Sequence, residues 1–411
     1  MRRSSLFTTL ITTLFSILFA AAAARADVVT EWNRIAVPIV TGYSLSAPSY
    51  REMAMMHIAM YETINAFEPR YQPYRHKLEA PAGASQDAAA AVAAARVLAR
   101  LHPDAAPKVE AELKQYLAPL ADRAGGPAAL EAGAAFGEKV AALVLEMRAN
   151  DGSNAPDSYR PRAAPGIYIP TAPVSLPYWG KVTPFTLKST AQFRPGPPVD
   201  LKSQEWAANY NEAKQYGKDS KTRTPEQTET ARLWLYTGPA TFFPLATQLS
   251  TAKGLSVQEN ARLYALLAMA TADAMIAVYE AKYHYEFWRP VTAIRNGDRD
   301  GNPQTEREAT WEPIGPTPLH PEYPCAHCIV AATAGTVLQA FFGTGSVPEF
   351  SLSTPTAPGV VHKWTRIADY IQEPSNARIW SGIHYRFSTV VGADMGRKIG
   401  EQAVKEYLRP L

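Results

Sequence analysis

A chain of 411 residues with 46% hydrophobic and 19% charged side chains is long enough to bury a sizeable core and too apolar to be disordered. Its net charge of +3 is slight and dispersed along the chain, which excludes the basic footprint of a nucleic-acid-binding protein. The length allows two domains, but helical periodicity runs throughout and no flexible linker separates halves, so 27–411 is read as a single helical domain.

Residues 1–26 have the form of a signal peptide. Arg2 and Arg3 precede an apolar stretch from Leu6 to Ala24, and Ala24-Arg25-Ala26 fits a small-residue cleavage site. The expectation is an exported protein, periplasmic or secreted, with no stable membrane insertion after cleavage. Beyond Ala26 no second stretch is read as long enough to span a bilayer.

Periodicity predicts helices over Val28–Val40, Tyr50–Phe67, Ser85–His102, Ala106–Leu120 and Pro127–Ala149. Others are predicted over Ser203–Tyr216, Pro225–Leu235, Val257–Arg289, Ala326–Phe342, Val361–Ile371, Ser375–Arg386 and Ser388–Leu408. The fold class is therefore all-α, one large or two fused helical bundles. Met53, Met56, Met60 and Ile64 share a stripe with His57, which makes His57 a core histidine. Ala88–Ala99 is small enough for close helix packing. Two stretches interrupt the helices. Residues 154–198 carry ten prolines with Tyr159, Tyr168, Tyr178, Trp179 and Phe185, as a loop that wraps a scaffold would. Residues 296–324 form a second proline-rich loop. Its Asp298-Arg299-Asp300-Gly301-Asn302 resembles a calcium loop but lacks the glycine position and the closing glutamate, so it is read as a turn.

Chemistry gathers in the last third. Lys282 and Arg289 lie seven positions apart on the long predicted helix, about 20° off a common face and about 10 Å apart along the axis. Pro290 ends that helix and frees Arg289 to turn inward. Two cations at the end of an apolar helix either snorkel to the surface or face an anion. Further on, Pro324-Cys325-Ala326-His327 opens an apolar helix, whose unpaired amides and dipole make a seat for an anion. Ala377-Arg378 is followed six residues later by His384. Three cations, a helix N-terminus and two histidines, if they converge, describe a pocket for a tetrahedral oxyanion.

The sequence Lys-(six residues)-Arg-Pro, then Pro-Cys-Ala-His, then Arg-(five residues)-His resembles the three-part signature of the vanadium-dependent haloperoxidases and type 2 phosphatidic acid phosphatases. The similarity is closest to the soluble bacterial haloperoxidase branch, through Arg-Ile-Trp-Ser-Gly-Ile-His-Tyr-Arg-Phe and His-Pro-Glu-Tyr-Pro, and it extends back to Trp32-Asn33 and the segment at Met56. The resemblance implies helical bundles of the haloperoxidase/acid phosphatase type with long proline-rich loops, and an oxyanion site within 282–388. It implies that Lys282, Arg289 and Arg378 bind vanadate or phosphate, with Cys325 and the amide of Ala326 beside them. His384 would bind vanadium axially, or attack phosphorus, and His327 would be the acid–base group. Vanadate is the implied cofactor of a haloperoxidase, with peroxide and halide as small-molecule substrates. A phosphatase of soluble phosphomonoesters, working through a phosphohistidine, needs no cofactor.

The chain departs from the family at four places: Cys325 and Ala377 replace serine, Ala326 replaces glycine, and Ser388 stands where an acidic residue is often found. The Ser388 hydroxyl can orient the His384 imidazole but cannot raise its basicity as a carboxylate does. A free Cys325 thiol would be acidified and sensitive to peroxide. Cys325 and Cys328 can instead pair in a disulfide, and Cys-Ala-His-Cys leaves open a redox protein, a catalytically inactive one, or a metal site with His320. Trp288, Tyr285 and Tyr323 are either a wall beside a halide or core. Oligomeric state leaves no signal in the sequence.

Overall fold

A computed structural model describes residues 27–43, 46–122 and 125–411. The export signal read at Met1–Ala26 lies outside the described residues. Helices dominate: α1 Val28–Tyr43, α2 Ser46–Phe67, α3 Gln86–Leu101, α4 Ala106–Leu117, α5 Gly126–Met147, α6 Gln204–Gln215 and α7 Pro225–Leu233. Then come α8 Phe243–Lys253, α9 Val257–Tyr285, α10 Pro290–Arg295, α11 Ala326–Phe342, α12 Ile367–Trp380 and α13 Arg386–Glu406. One antiparallel hairpin, β1 Ser346–Leu352 with β2 His362–Arg366, sits between α11 and α12.

α9 is the axis of the molecule. Ser256 and Glu259 form a reciprocal capping box that satisfies its first amides, worth about 1 kcal/mol. From Asn260 to Lys282 nearly every side chain is buried, because α2 covers one side and α11 and α13 cover another. By length and composition α9 would span a bilayer, which corrects the reading that no second such stretch exists; here protein, not lipid, encloses it. Its one buried acid, Asp273, accepts from the amides of Phe185 at 2.6 Å, Thr186 at 2.6 Å and Leu187 at 3.1 Å, and from the Thr186 hydroxyl at 2.6 Å. Thus the proline-stiffened loop is tied to the core helix through one carboxylate.

Small residues set the other close approaches. The alanine-rich face of α3 receives α5 at Gly133 and Gly137. On α13, Gly392 faces the Cys325 carbonyl, and a Cβ at Gly396 would fall 2.2 Å from the Ile329 carbonyl oxygen. That stripe presses α13 onto α11 and brings the two motifs they carry together.

Several expectations need correction. α9 stops at Tyr285, not Arg289: Glu286 takes a left-handed conformation (φ 52°) and its amide closes onto the Lys282 carbonyl at 2.8 Å. The predicted helix over Val361–Ile371 is a strand up to Arg366, where Trp364 pairs with Phe350 and both rings pack on Tyr370. Pro374 does not end a helix but lies within α12, so the predicted break at Ile371–Ser375 is absent. The predicted segment Ser375–Arg386 leaves the helix after Trp380. α8 and α10 went unpredicted. Asp300, in the calcium-like turn, accepts instead from Trp206 Nε1 and the Thr305 hydroxyl, both at 2.8 Å.

Gly396→Ala should destabilise the protein by at least about 1–3 kcal/mol, because backbone cannot yield as a flexible side chain can. Gly42→Ala, with no atom of the described residues within 4 Å of its added Cβ, should be neutral or slightly stabilising. Urea midpoints compare the two; equal midpoints would show that the α11–α13 contact is not tight.

Candidate active site

Lys282 occupies the last turn of α9 and is fully buried. Its ammonium donates to the carbonyls of Pro321 at 2.9 Å and Glu322 at 2.7 Å. Arg289 is not on that helix, so the shared helical face expected for the pair does not exist. The chain turns at Glu286 and runs extended to Arg289, the residue that precedes α10. From there its guanidinium reaches the same loop: Nε donates to the His320 carbonyl at 3.0 Å and Nη2 approaches the Pro321 carbonyl at 3.4 Å. The two cations converge because they share the 320–322 backbone as acceptor.

Arg378, in the last turn of α12, donates from Nη1 to the Trp234 carbonyl at 2.9 Å. Past the turn at Gly382, His384 precedes α13. Arg289 Nη1 lies 3.1 Å from His384 Nε2, and Glu322 Oε1 lies 2.6 Å from Nδ1. On the facing element, α11 starts at Ala326, and helix geometry leaves the amides of Ala326 and His327 without intrahelical acceptors. Arg378, His384, Ala326 and His327 line one cavity of about 170 Å³ together with Leu235, Met275, Tyr279, Pro316 and Pro318.

The residues singled out from the sequence are therefore brought together, with exceptions: Lys282 and Arg289 are fully buried and do not line the cavity, which Arg289 adjoins through His384. Cys325 does not line the cavity: it is bonded to Cys328, and its sulfur accepts from the Cys328 amide at 3.3 Å. A bonded pair has no acidified thiol for peroxide to attack and offers no thiolates, which removes the metal site imagined with His320 and His327. Trp288 and Tyr323 are core and Tyr285 is half-buried against them; none of the three lines the cavity. Trp288 stacks on Trp206, the Tyr323 hydroxyl donates to the Gly196 carbonyl at 2.9 Å, and the Tyr285 hydroxyl donates to that of Pro195.

Ser388 is not the hydrogen-bond partner of the imidazole; that place is taken by Glu322, which the sequence reading gave no role. A glutamate between Pro321 and Tyr323 lies on no periodic face. The one sequence signal for it was the missing acid at Ser388. His320 was also undervalued: it lines the cavity and its Nδ1 sits 3.0 Å from Arg289 Nη2.

The electrostatics are those of an under-compensated positive site. Lys282, Arg289 and Arg378 are all buried, and the carboxylate among them is Glu322. Burial, then Arg289, holds the Lys282 ammonium well below its ordinary pKa, with Glu322 pulling the other way. Burial pushes Glu322 up to about 7 against the pull of Arg289 and Lys282. Burial and the three cations keep His327 and His384 well below the usual imidazole value, so both are neutral bases at pH 7. His327 Nε2 and Arg378 Nε have no hydrogen-bond partner among the described residues. Buried donors and cations left without acceptors cost free energy that a bound anion would recover. A wider cleft of about 460 Å³ elsewhere is ringed by Asp27, Glu31, Asp87 and Glu112 and has the wrong sign for such a ligand.

Comparison with known proteins follows the same lines. Residues 262–411 match the family model of the VCPO second helical-bundle domain, a span that contains every residue of the pocket's cationic and histidine set. A vanadium chloroperoxidase of Curvularia inaequalis is 24% identical over 89% of this chain and 78% of its own length. Among solved structures, the first bacterial vanadium-dependent iodoperoxidase superposes with a TM-score of 0.80 at 23% identity, covering 93% of this chain and 97% of that one. An apo-type bacterial vanadium-dependent chloroperoxidase gives a TM-score of 0.71 at 16% identity, covering 88% and 92%. At these identities the superpositions speak for the fold.

Because Cys325 and Cys328 are bonded, thiol labelling of denatured protein should find no free thiol until reductant is added, and two afterwards. Two labelled cysteines without reductant would restore the free thiol beside the pocket.

Proposed function

We propose that this chain, which belongs to the vanadium haloperoxidase superfamily, holds vanadate in the cavity beside Arg378, His327 and His384 and oxidises halide with hydrogen peroxide. The observation that carries the reading is the buried excess of positive charge at a cavity lined by unpartnered donors, which fits a small tetrahedral oxyanion. Bound there, vanadate would act as the Lewis acid that activates peroxide.

The chain's own contributions can be derived. Lys282, Arg289 and Arg378 supply fixed positive charge and cost no reorganisation when negative charge develops. Lys282 spends two hydrogen bonds on carbonyls and keeps a third proton for the anion. The guanidinium of Arg289 can only donate, so His384 Nε2 is unprotonated and would be the nitrogen that holds vanadate once it exchanges its Arg289 contact for the ligand. His327, neutral at pH 7, accepts a proton from incoming peroxide and returns it to the departing water. The net reaction is H2O2 + X⁻ + H⁺ → HOX + H2O. A cavity of about 170 Å³ suits peroxide and halide better than a bulky ester, which places phosphomonoester hydrolysis second. The Cys325–Cys328 bond suits the oxidising compartment that the N-terminal export signal would reach.

Purified protein should oxidise halide only with vanadate added, and phosphate should inhibit by competing for the same charge. His384→Ala should abolish turnover while leaving three cations that still bind the anion. His327→Ala should slow turnover by about 10²–10⁴-fold with anion binding largely kept. Hydrolysis of phosphomonoesters without vanadate-dependent halide oxidation would transfer the site to the phosphatase reading.

A further inference from the structure

We infer that Glu322 is the positioning residue of the proposed axial histidine, setting the tautomer and direction of His384 from the 320–322 loop. The inference rests on the reading of His384 given above but stands on hydrogen-bond geometry that needs no bound ligand.

The imidazole is gripped at both nitrogens. Arg289 Nη1, a donor in every state, lies 3.1 Å from Nε2, so Nε2 must accept and carries no proton. The ring proton is then on Nδ1, and its acceptor is Glu322 Oε1 at 2.6 Å. The same oxygen accepts from the Tyr385 amide at 3.2 Å, so one atom fixes both the ring and the backbone that follows it. The two side chains are essentially solvent-free, at 1% and 0% exposure, so water does not compete for this bond.

Glu322 is itself held. Its amide donates to the Phe287 carbonyl at 2.8 Å, and its carbonyl receives Lys282 at 2.7 Å. The carboxylate is thus delivered by the loop that anchors two of the site's cations. Its second oxygen, Oε2, and the Ser388 hydroxyl are both buried with no close hydrogen bond among the described residues, and Ser388 is near enough to favour the charged carboxylate. The Ser388 carbonyl is fixed by the Cys325 amide at 3.3 Å. A carboxylate placed at 388 would therefore enter the same buried space from α13, one helical turn from His384. The geometry makes Glu322 and an acid at 388 alternative sources of one interaction, and this chain uses the loop.

The test has two readouts on full-length mature protein. In unliganded, ¹⁵N-histidine-labelled protein, one histidine should show protonated Nδ1 and bare Nε2, and that signature should be lost or averaged in Glu322→Ala. By calorimetry with orthovanadate, Glu322→Gln and Glu322→Ala should each bind about 10–100-fold more weakly than wild type. Ser388→Asp added to Glu322→Ala should recover most of that loss and restore the Nδ1–H signature. If Glu322→Ala does not fold, Glu322→Leu, which removes the acceptor at similar volume, carries the test alone. Wild-type affinity and an unchanged spectrum in the variant that lacks the acceptor, or an Nε2-protonated His384 in wild type, would overturn the inference. Wild-type protein that shows the Nδ1–H signature but binds no vanadate would uphold the positioning role and remove the vanadate reading instead.

Discussion

Three consecutive backbone carbonyls, those of His320, Pro321 and Glu322, are the acceptors on which the site depends. They receive Lys282 from the end of α9 and Arg289 from the start of α10, and so draw two cations into one place against their mutual repulsion. A carbonyl can solvate a buried cation but cannot neutralise it. The arrangement therefore leaves buried positive charge that an arriving anion would neutralise.

The rest of the fold serves to bring that loop, the α11 N-terminus and the Arg378–His384 turn to a common point. α9 is the frame: it carries Lys282, ties the long loop through Asp273, and separates the N-terminal helices from the α11–α13 group. The glycine stripe on α13 then sets how near His384 comes to α11. Arg378 is aimed by a different contact, the Trp234 carbonyl after α7. Arg378 reaches the cavity itself, while Lys282 and Arg289 are held by the shared 320–322 backbone, and these fixed anchors keep the site preorganised.

Much of this was legible in the sequence, though not always for the right reason. The helical class followed from periodicity, and Lys282, Arg289, Arg378, His327 and His384 were recognised from motif order. The geometry offered for the first pair was wrong, because helical spacing was extended through Glu286, whose left-handed turn has no strong residue signal. Glu322 escaped because non-local hydrogen bonds leave no periodicity; only the absence of an acid at Ser388 pointed to a carboxylate from elsewhere. The β1–β2 hairpin was missed because its strands are short and its stability lies in Phe350 and Trp364 packing on Tyr370, a tertiary effect. The gap predicted between Ile371 and Ser375 is bridged for the opposite reason, since packing retains α12 across Pro374, a residue that local propensity would make a break.

The central claim is that the pocket's unneutralised positive charge is a binding site for a tetrahedral oxyanion. The most direct measurement is the thermal midpoint of the protein as orthovanadate is raised at constant ionic strength. The account predicts a midpoint that climbs with the logarithm of vanadate concentration, equivalent to about 2.7 kcal/mol at a hundred times the dissociation constant. It also predicts a similar climb with phosphate and none with chloride. A midpoint that does not respond to either oxyanion, in protein whose Arg378 and His384 are intact, would contradict it.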